Sequence, residues 1–151
     1  MSYSRLPDHP HASSLRSWHI VAGGAVVAVL LQLWGLYRVS GPPQPAWFPY
    51  ADKLAHTIGF ALPVMLILLA VALRRPLGSQ RPGVRTTVLV VGVFAAHAVV
   101  SELIQHVWYQ HRTGDLLDVV ADWIGIAAGV VLVWVIALRT SNSAYRVLAA
   151  S

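Results

Sequence analysis

The sequence predicts an all-α, polytopic membrane protein: a bundle of four transmembrane helices with both termini on the cytoplasmic side. Three observations predict it. Of 151 residues, 56% are hydrophobic and only 11% charged, against about 25% charged in an ordinary soluble domain. The apolar residues gather into four runs, each near the roughly 20 residues a helix needs to cross a bilayer. The basic residues then sort unevenly to the two sides of those runs, which orients membrane helices. At this length one domain is the natural expectation, and the mean hydropathy is +0.61. The net charge of +5 sits between the apolar runs, so it speaks for membrane orientation and against a nucleic-acid partner. The chain has no cysteine, which excludes disulfides, thiolate metal sites and a thiol nucleophile.

The first run, Trp18 to Tyr37, holds Gln32 as its one strongly polar interior residue. It is longer than a signal-peptide core and no A-x-A site follows, so it reads as a retained anchor. Gly41-Pro42-Pro43-Gln44-Pro45 then predicts a stiff loop, with Trp47, Phe48 and Tyr50 as an interfacial aromatic belt. The second run starts at Asp52-Lys53 and reaches Leu73, with a kink expected at Pro63. A linker carrying Arg74, Arg75, Arg81 and Arg85 leads to the third run, Thr86 to Trp108. A short loop from Tyr109 to Gly114 precedes the fourth, Asp115 to Leu138. The expected organisation is a cytoplasmic tail over 1–17, a membrane domain over 18–138 and a second cytoplasmic tail over 139–151.

With the N-terminus inside, Arg5, Arg16, Arg74, Arg75, Arg81, Arg85, Arg139 and Arg146 fall on the inner side. Arg38, Lys53 and Arg112 fall outside. That asymmetry predicts an N-in, C-in topology.

The acids are placed less evenly still. Of six, only Asp8 lies in the N-terminal tail; Asp52, Glu102, Asp115, Asp118 and Asp122 all map near the outer surface. At 100° per residue, Asp115, Asp118 and Asp122 share about 60° of helix face, and Gly125 and Gly129 extend that stripe inward. Glycines let a neighbouring helix approach, so the acidic face is expected to point into the bundle. Asp52, His56, Gly59 and Pro63 share a face of the second helix, while His97, Ser101, Glu102 and Gln105 span about 140° of the third. Ionisable groups at membrane depth cost several kcal/mol unless paired or hydrated. Two readings follow: an ion-pair cluster that staples the helices, or an outward pocket in which some pairs persist. His97, near the bilayer centre, is expected as a buried neutral histidine bonded to a neighbour.

These residues also carry a resemblance. Asp52-Lys53-x-x-His56 with Phe60, Ser101-Glu102-x-x-Gln105, and Arg112-x-x-Asp115-x-x-Asp118-x-x-x-Asp122-x-x-Gly125 together resemble the VanZ-like family of small bacterial membrane proteins, over about residues 50 to 130. Asp122 departs from the pattern, where Asn is more usual. The resemblance implies a multi-pass protein of the bacterial cytoplasmic (inner) membrane with an envelope-related role. The family takes its name from a protein associated with low-level resistance to teicoplanin, an antibiotic, and the resemblance does not by itself imply that phenotype here.

Three function classes follow. The first is a binding protein whose outward pocket takes a lipid-linked cell-wall precursor or a lipoglycopeptide. Its ligand-binding residues would be Asp52, Lys53, His56, Glu102, Gln105, Arg112, Asp115, Asp118 and Asp122, with membrane lipids as standing partners. The second is an intramembrane enzyme on a lipid-linked substrate, with Glu102 as general acid or base and His56 as its partner. On that reading alone, Asp118 and Asp122 would offer oxygen ligands to a divalent cation; otherwise no cofactor and no resident metal is expected. The third is a small transporter using Gln32, His97 and Glu102.

Overall fold

In a computed structural model of the protein, residues 11–38, 49–75, 81–108 and 115–149 are described, with 11–17 and 140–149 by backbone alone. They form four helices: α1 (His11–Tyr37), α2 (Ala51–Leu73), α3 (Val84–Trp108) and α4 (Leu116–Ala149). Each contains a stretch long and apolar enough to cross a membrane: Trp18–Tyr37, Ala51–Leu73, Val84–Trp108 and Leu116–Arg139. These stretches follow the predicted runs. The helices at the chain ends are longer than the runs, however, because α1 starts at His11 and α4 continues to Ala149. Loss of hydrophobicity does not end a helix, and neither extension contains a glycine or proline to break it.

The protein is inside out relative to a soluble domain. Val26, Leu30, Leu31, Trp34, Val88, Leu89, Leu103 and Val131 are all exposed, a belt suited to acyl chains rather than water. The core is formed by Leu36, Phe60, Val64, Leu68, Phe94, Ala98, Ile126 and Val133.

Helix α2 is central, packing on α4 along one side and on α1 along another, with α3 laid mainly against α4. The seam between α2 and α4 depends on two glycines. A side chain at Gly125 would collide with the backbone carbonyl of Thr57, and a Cβ at Gly129 would lie 2.6 Å from the carbonyl oxygen of Ala61. Thr57 Oγ1 donates across the same seam to the Ala121 carbonyl at 3.2 Å. The glycine stripe read from the sequence is therefore the contact that draws α4 onto α2. Helix α2 itself continues unbroken through Pro63, which is fully buried. Proline lacks an N–H, so the Gly59 carbonyl loses its helical donor.

Adjacent helices run antiparallel. The ends of α1 and α3 and the starts of α2 and α4 therefore meet at one end of the bundle, the polar end. Arg74 over the Trp18 ring, 4.8 Å from its centroid, marks the other.

Candidate functional site

The polar end assembles from the caps inward. Asp115 is the residue before α4, and its Oδ1 accepts the Leu117 N–H at 2.9 Å, a helix N-cap. A capping box would use a residue in the first turn of α4 to bond the Asp115 N–H. Here a second helix supplies that acceptor: Glu102 of α3, through Oε2 at 3.0 Å. Asp118, in that first turn, is engaged elsewhere.

Its partner is Lys53. The ammonium donates to Asp118 Oδ1 and to Asp115 Oδ2, both at 2.6 Å, and also meets Asp52 Oδ2 at 3.1 Å. One cation thus ties the starts of α2 and α4 together through three carboxylates. Those helix starts carry the positive ends of two helix dipoles, which further favour negative side chains there. The bond from Lys53 is the main reason the Asp115 carboxyl is held below the usual carboxylate range, with the Leu117 N–H adding to it.

Beyond Lys53 the groups descend into the bundle. Asp118 Oδ2 lies 4.0 Å from His56 Nε2, and His56 Nδ1 lies 2.9 Å from Asp122 Oδ1. Side-chain exposure falls along this path from 62% at Asp52 through 19% at Lys53 and 9% at His56 to 0% at Asp122. At the bottom, His56, Glu102 and Asp122 each bring a ligand-type atom within 4.8 Å of the others. Two buried oxygens there, Glu102 Oε1 and Asp122 Oδ2, have no hydrogen-bond partner among the described residues.

Most of the predicted site residues meet here: Asp52, Lys53, His56, Glu102, Asp115, Asp118 and Asp122 lie in one connected group. Gln105 does something different. Its Nε2 donates to the Leu36 carbonyl at 3.0 Å, satisfying one of the carbonyls left open at the end of α1. Arg112 lies outside the described residues, as do Tyr109 and the Pro42–Pro45 loop. His97, expected to be buried, is half-buried; it packs against the rings of Tyr37 and Phe60 at centroid distances of 6.0 and 5.8 Å, and its Nε2 has no hydrogen-bond partner among the described residues. The trio at the bottom takes Glu102 with Asp122, whereas Asp118 is held by Lys53.

A cleft beside the polar group was not legible in the sequence. It lies between α1 and α2, holds about 430 Å³, and runs from Arg38 and His56 past Gly35 and Gly59 to Gln32 and Pro63. Its rim residues Leu31, Trp34, Ile58 and Leu62 are exposed on the apolar belt, so it opens toward lipid. The buried amide nitrogen of Gln32 is unpartnered. The only sequence signal was a glutamine inside an otherwise apolar run, opposite the Gly59–Pro63 face.

Comparison with known proteins returns no match to a protein family, a curated protein or a solved structure. The geometry therefore carries the functional argument.

Proposed function

We propose that the chain is a VanZ-like protein of the bacterial cytoplasmic membrane that binds an amphiphilic envelope molecule at its outer, polar end. Both termini lie inside on this reading, as the distribution of arginines favours. The observation that carries it is the α1–α2 cleft. It is apolar along most of its length, it opens to the acyl region, and it ends at the cation of Arg38. A lipid tail fits the wall of Leu31, Ile58 and Leu62, and a phosphate or carboxylate head meets Arg38, whose guanidinium also rests on the Trp34 ring at 5.0 Å. Lys53, already shared by three carboxylates, is poorly placed to take a further anion. A lipid-linked cell-wall precursor and a lipoglycopeptide of the teicoplanin type both have this chemistry.

Native mass spectrometry of gently extracted protein tests the reading. The expected result is a co-purifying lipid-bearing species that is lost from Gly35→Leu, since Gly35 lines the cleft and has open space where a side chain would go. Undiminished retention by that variant would refute the site.

One observation favours a second reading, catalysis on such a ligand. The carboxylate of Asp122 fixes one imidazole nitrogen of His56, the arrangement that orients a general base. Turnover of a lipid-linked substrate, abolished in His56→Gln, would select it. Conduction is disfavoured: the acids inside the spans gather at one end, and Val64, Leu68 and Val133 close the bundle beyond them.

A further inference from the structure

We infer that His56, Glu102 and Asp122 form a binding site for one divalent first-row transition cation at the bottom of the polar group. From the sequence, a cation is expected only on the enzyme reading, held by Asp118 and Asp122. Two independent features of the geometry point to one.

The first is the donor set. One imidazole and two carboxylates from three helices converge with their ligand atoms within 4.8 Å of one another. Donors around a tetrahedral Zn²⁺ at about 2.1 Å lie about 3.4 Å apart, so side-chain rotation of about an ångström would close the site. The imidazole selects against Mg²⁺ and Ca²⁺, which take oxygen ligands, and in favour of Zn²⁺ over Mn²⁺. Three protein ligands leave a coordination position open.

The second is the orphaned oxygens. Glu102 and Asp122 are 6% and 0% exposed, and each keeps one buried oxygen without a hydrogen-bond partner. Unpaired buried acceptors cost free energy, and nearby Lys53 cannot relieve them because Asp52, Asp115 and Asp118 already hold its ammonium. A cation among the three residues satisfies both oxygens at once. An outer partner stands near, about an ångström beyond hydrogen-bond range. With the cation on the Nδ1 side of His56, Nε2–H faces Asp118 Oδ2 across 4.0 Å, the carboxylate–histidine–metal arrangement that fixes a ligating ring. Any proton held between His56 Nδ1 and Asp122 leaves as the cation enters.

The site does not depend on the lipid reading, and its test uses the cation alone. Full-length protein in detergent is stripped with a chelator and dialysed against Zn²⁺ or Mg²⁺; bound metal is counted per chain and thermal unfolding is followed. The expected result is one Zn²⁺ per folded chain, a raised Tm on Zn²⁺ addition, and little response to Mg²⁺. His56→Ala, Glu102→Gln and Asp122→Asn should each weaken Zn²⁺ binding by about 100-fold or more, beyond the 10–100-fold typical of outer-shell changes. Arg74→Gln, at the opposite end of the bundle, should leave binding unchanged. Should a variant fail to fold, the parent's visible absorption with Co²⁺ in place of Zn²⁺ decides: intense bands of a four-coordinate N/O site are expected, and only the weak bands of the six-coordinate aquo ion would overturn the inference. A folded parent that takes up no Zn²⁺ and whose Tm does not move overturns the inference. Parent-like Zn²⁺ binding by folded Asp122→Asn overturns it equally.

Discussion

The two sides of α2 solve the same packing problem in opposite ways. Toward α4, glycines at 125 and 129 bring the backbones together until Thr57 and Ala61 carbonyls occupy the space of a side chain, and Thr57 bonds across the seam. Toward α1 the glycines are not filled by a neighbour: a side chain built at Gly35 or Gly59 would meet nothing within 4 Å. Clefts remain there: the polar-end cleft of about 430 Å³, and another of about 400 Å³ toward the opposite end, lined by Ala22, Ala25, Ile67 and Ala70 below the Trp18–Arg74 contact. Water does not drive helices together inside a bilayer, so close contact is the main source of cohesion there. The α2–α4 seam is thus the rigid frame that carries the polar group, and the α1–α2 seam is where an occupant can enter.

Substitutions at glycine separate the two seams most strongly. Gly125→Val should destabilise the protein by about 3 kcal/mol or prevent its accumulation, because the new side chain meets backbone rather than a flexible side chain. Gly35→Ala, on the cleft side with nothing within 4 Å, should melt within about 0.5 kcal/mol of the parent. Thermal unfolding in one detergent compares them, and equal losses would dissolve the distinction between the seams.

Lys53→Met comes next. It removes the cation shared by α2 and α4 and strands Asp118, at an expected cost of about 2–3 kcal/mol, below the roughly 3–5 kcal/mol of a fully buried pair because Lys53 is partly exposed. An unfolding midpoint equal to the parent's would show that the glycine seam alone holds these helices.

The smallest effect is on pH. Asp115 lies outside the spans with its carboxyl held below the usual range by Lys53. A lowered folded-state value contributes stability above the ordinary carboxylate range, and that contribution is lost as pH falls through and below it. The parent should lose stability on acidification below about pH 4, and Asp115→Asn, which keeps the cap but not the charge, should show a shallower loss.

Much of this was legible in the sequence, for physical reasons. Hydrophobic runs report bilayer thickness directly, so the four spans could be read within a few residues. The helical stripe of Asp115, Asp118, Asp122, Gly125 and Gly129 also gave the face α4 turns to α2. Pairings between helices were harder, because periodicity says which face a residue occupies but not what stands opposite. Gln105 was therefore grouped with the acids on its face, whereas it reaches the open Leu36 carbonyl of α1. The sequence reading paired Glu102 with His56 but gave the cation to Asp118 and Asp122; that Lys53 takes Asp118 and leaves Asp122 with Glu102 and His56 depends on what stands across the helices. The cleft depends on how far apart α1 and α2 stand, which no spacing rule encodes.

The central claim is that the bottom of the polar group is a site and not only a staple, and Glu102→Gln tests it most directly. Among the described residues Glu102 pairs with no cation; it accepts the Asp115 N–H through one oxygen, and its other oxygen has no partner there. The glutamine oxygen can keep the first bond, and its amide nitrogen can donate to Asp122, worth about 1 kcal/mol. Thermal unfolding of the variant without added metal should therefore match or exceed the parent's, even though the site is disarmed. A loss of about 3–5 kcal/mol, the cost of breaking a buried ion pair, would contradict the account and make Glu102 part of the staple.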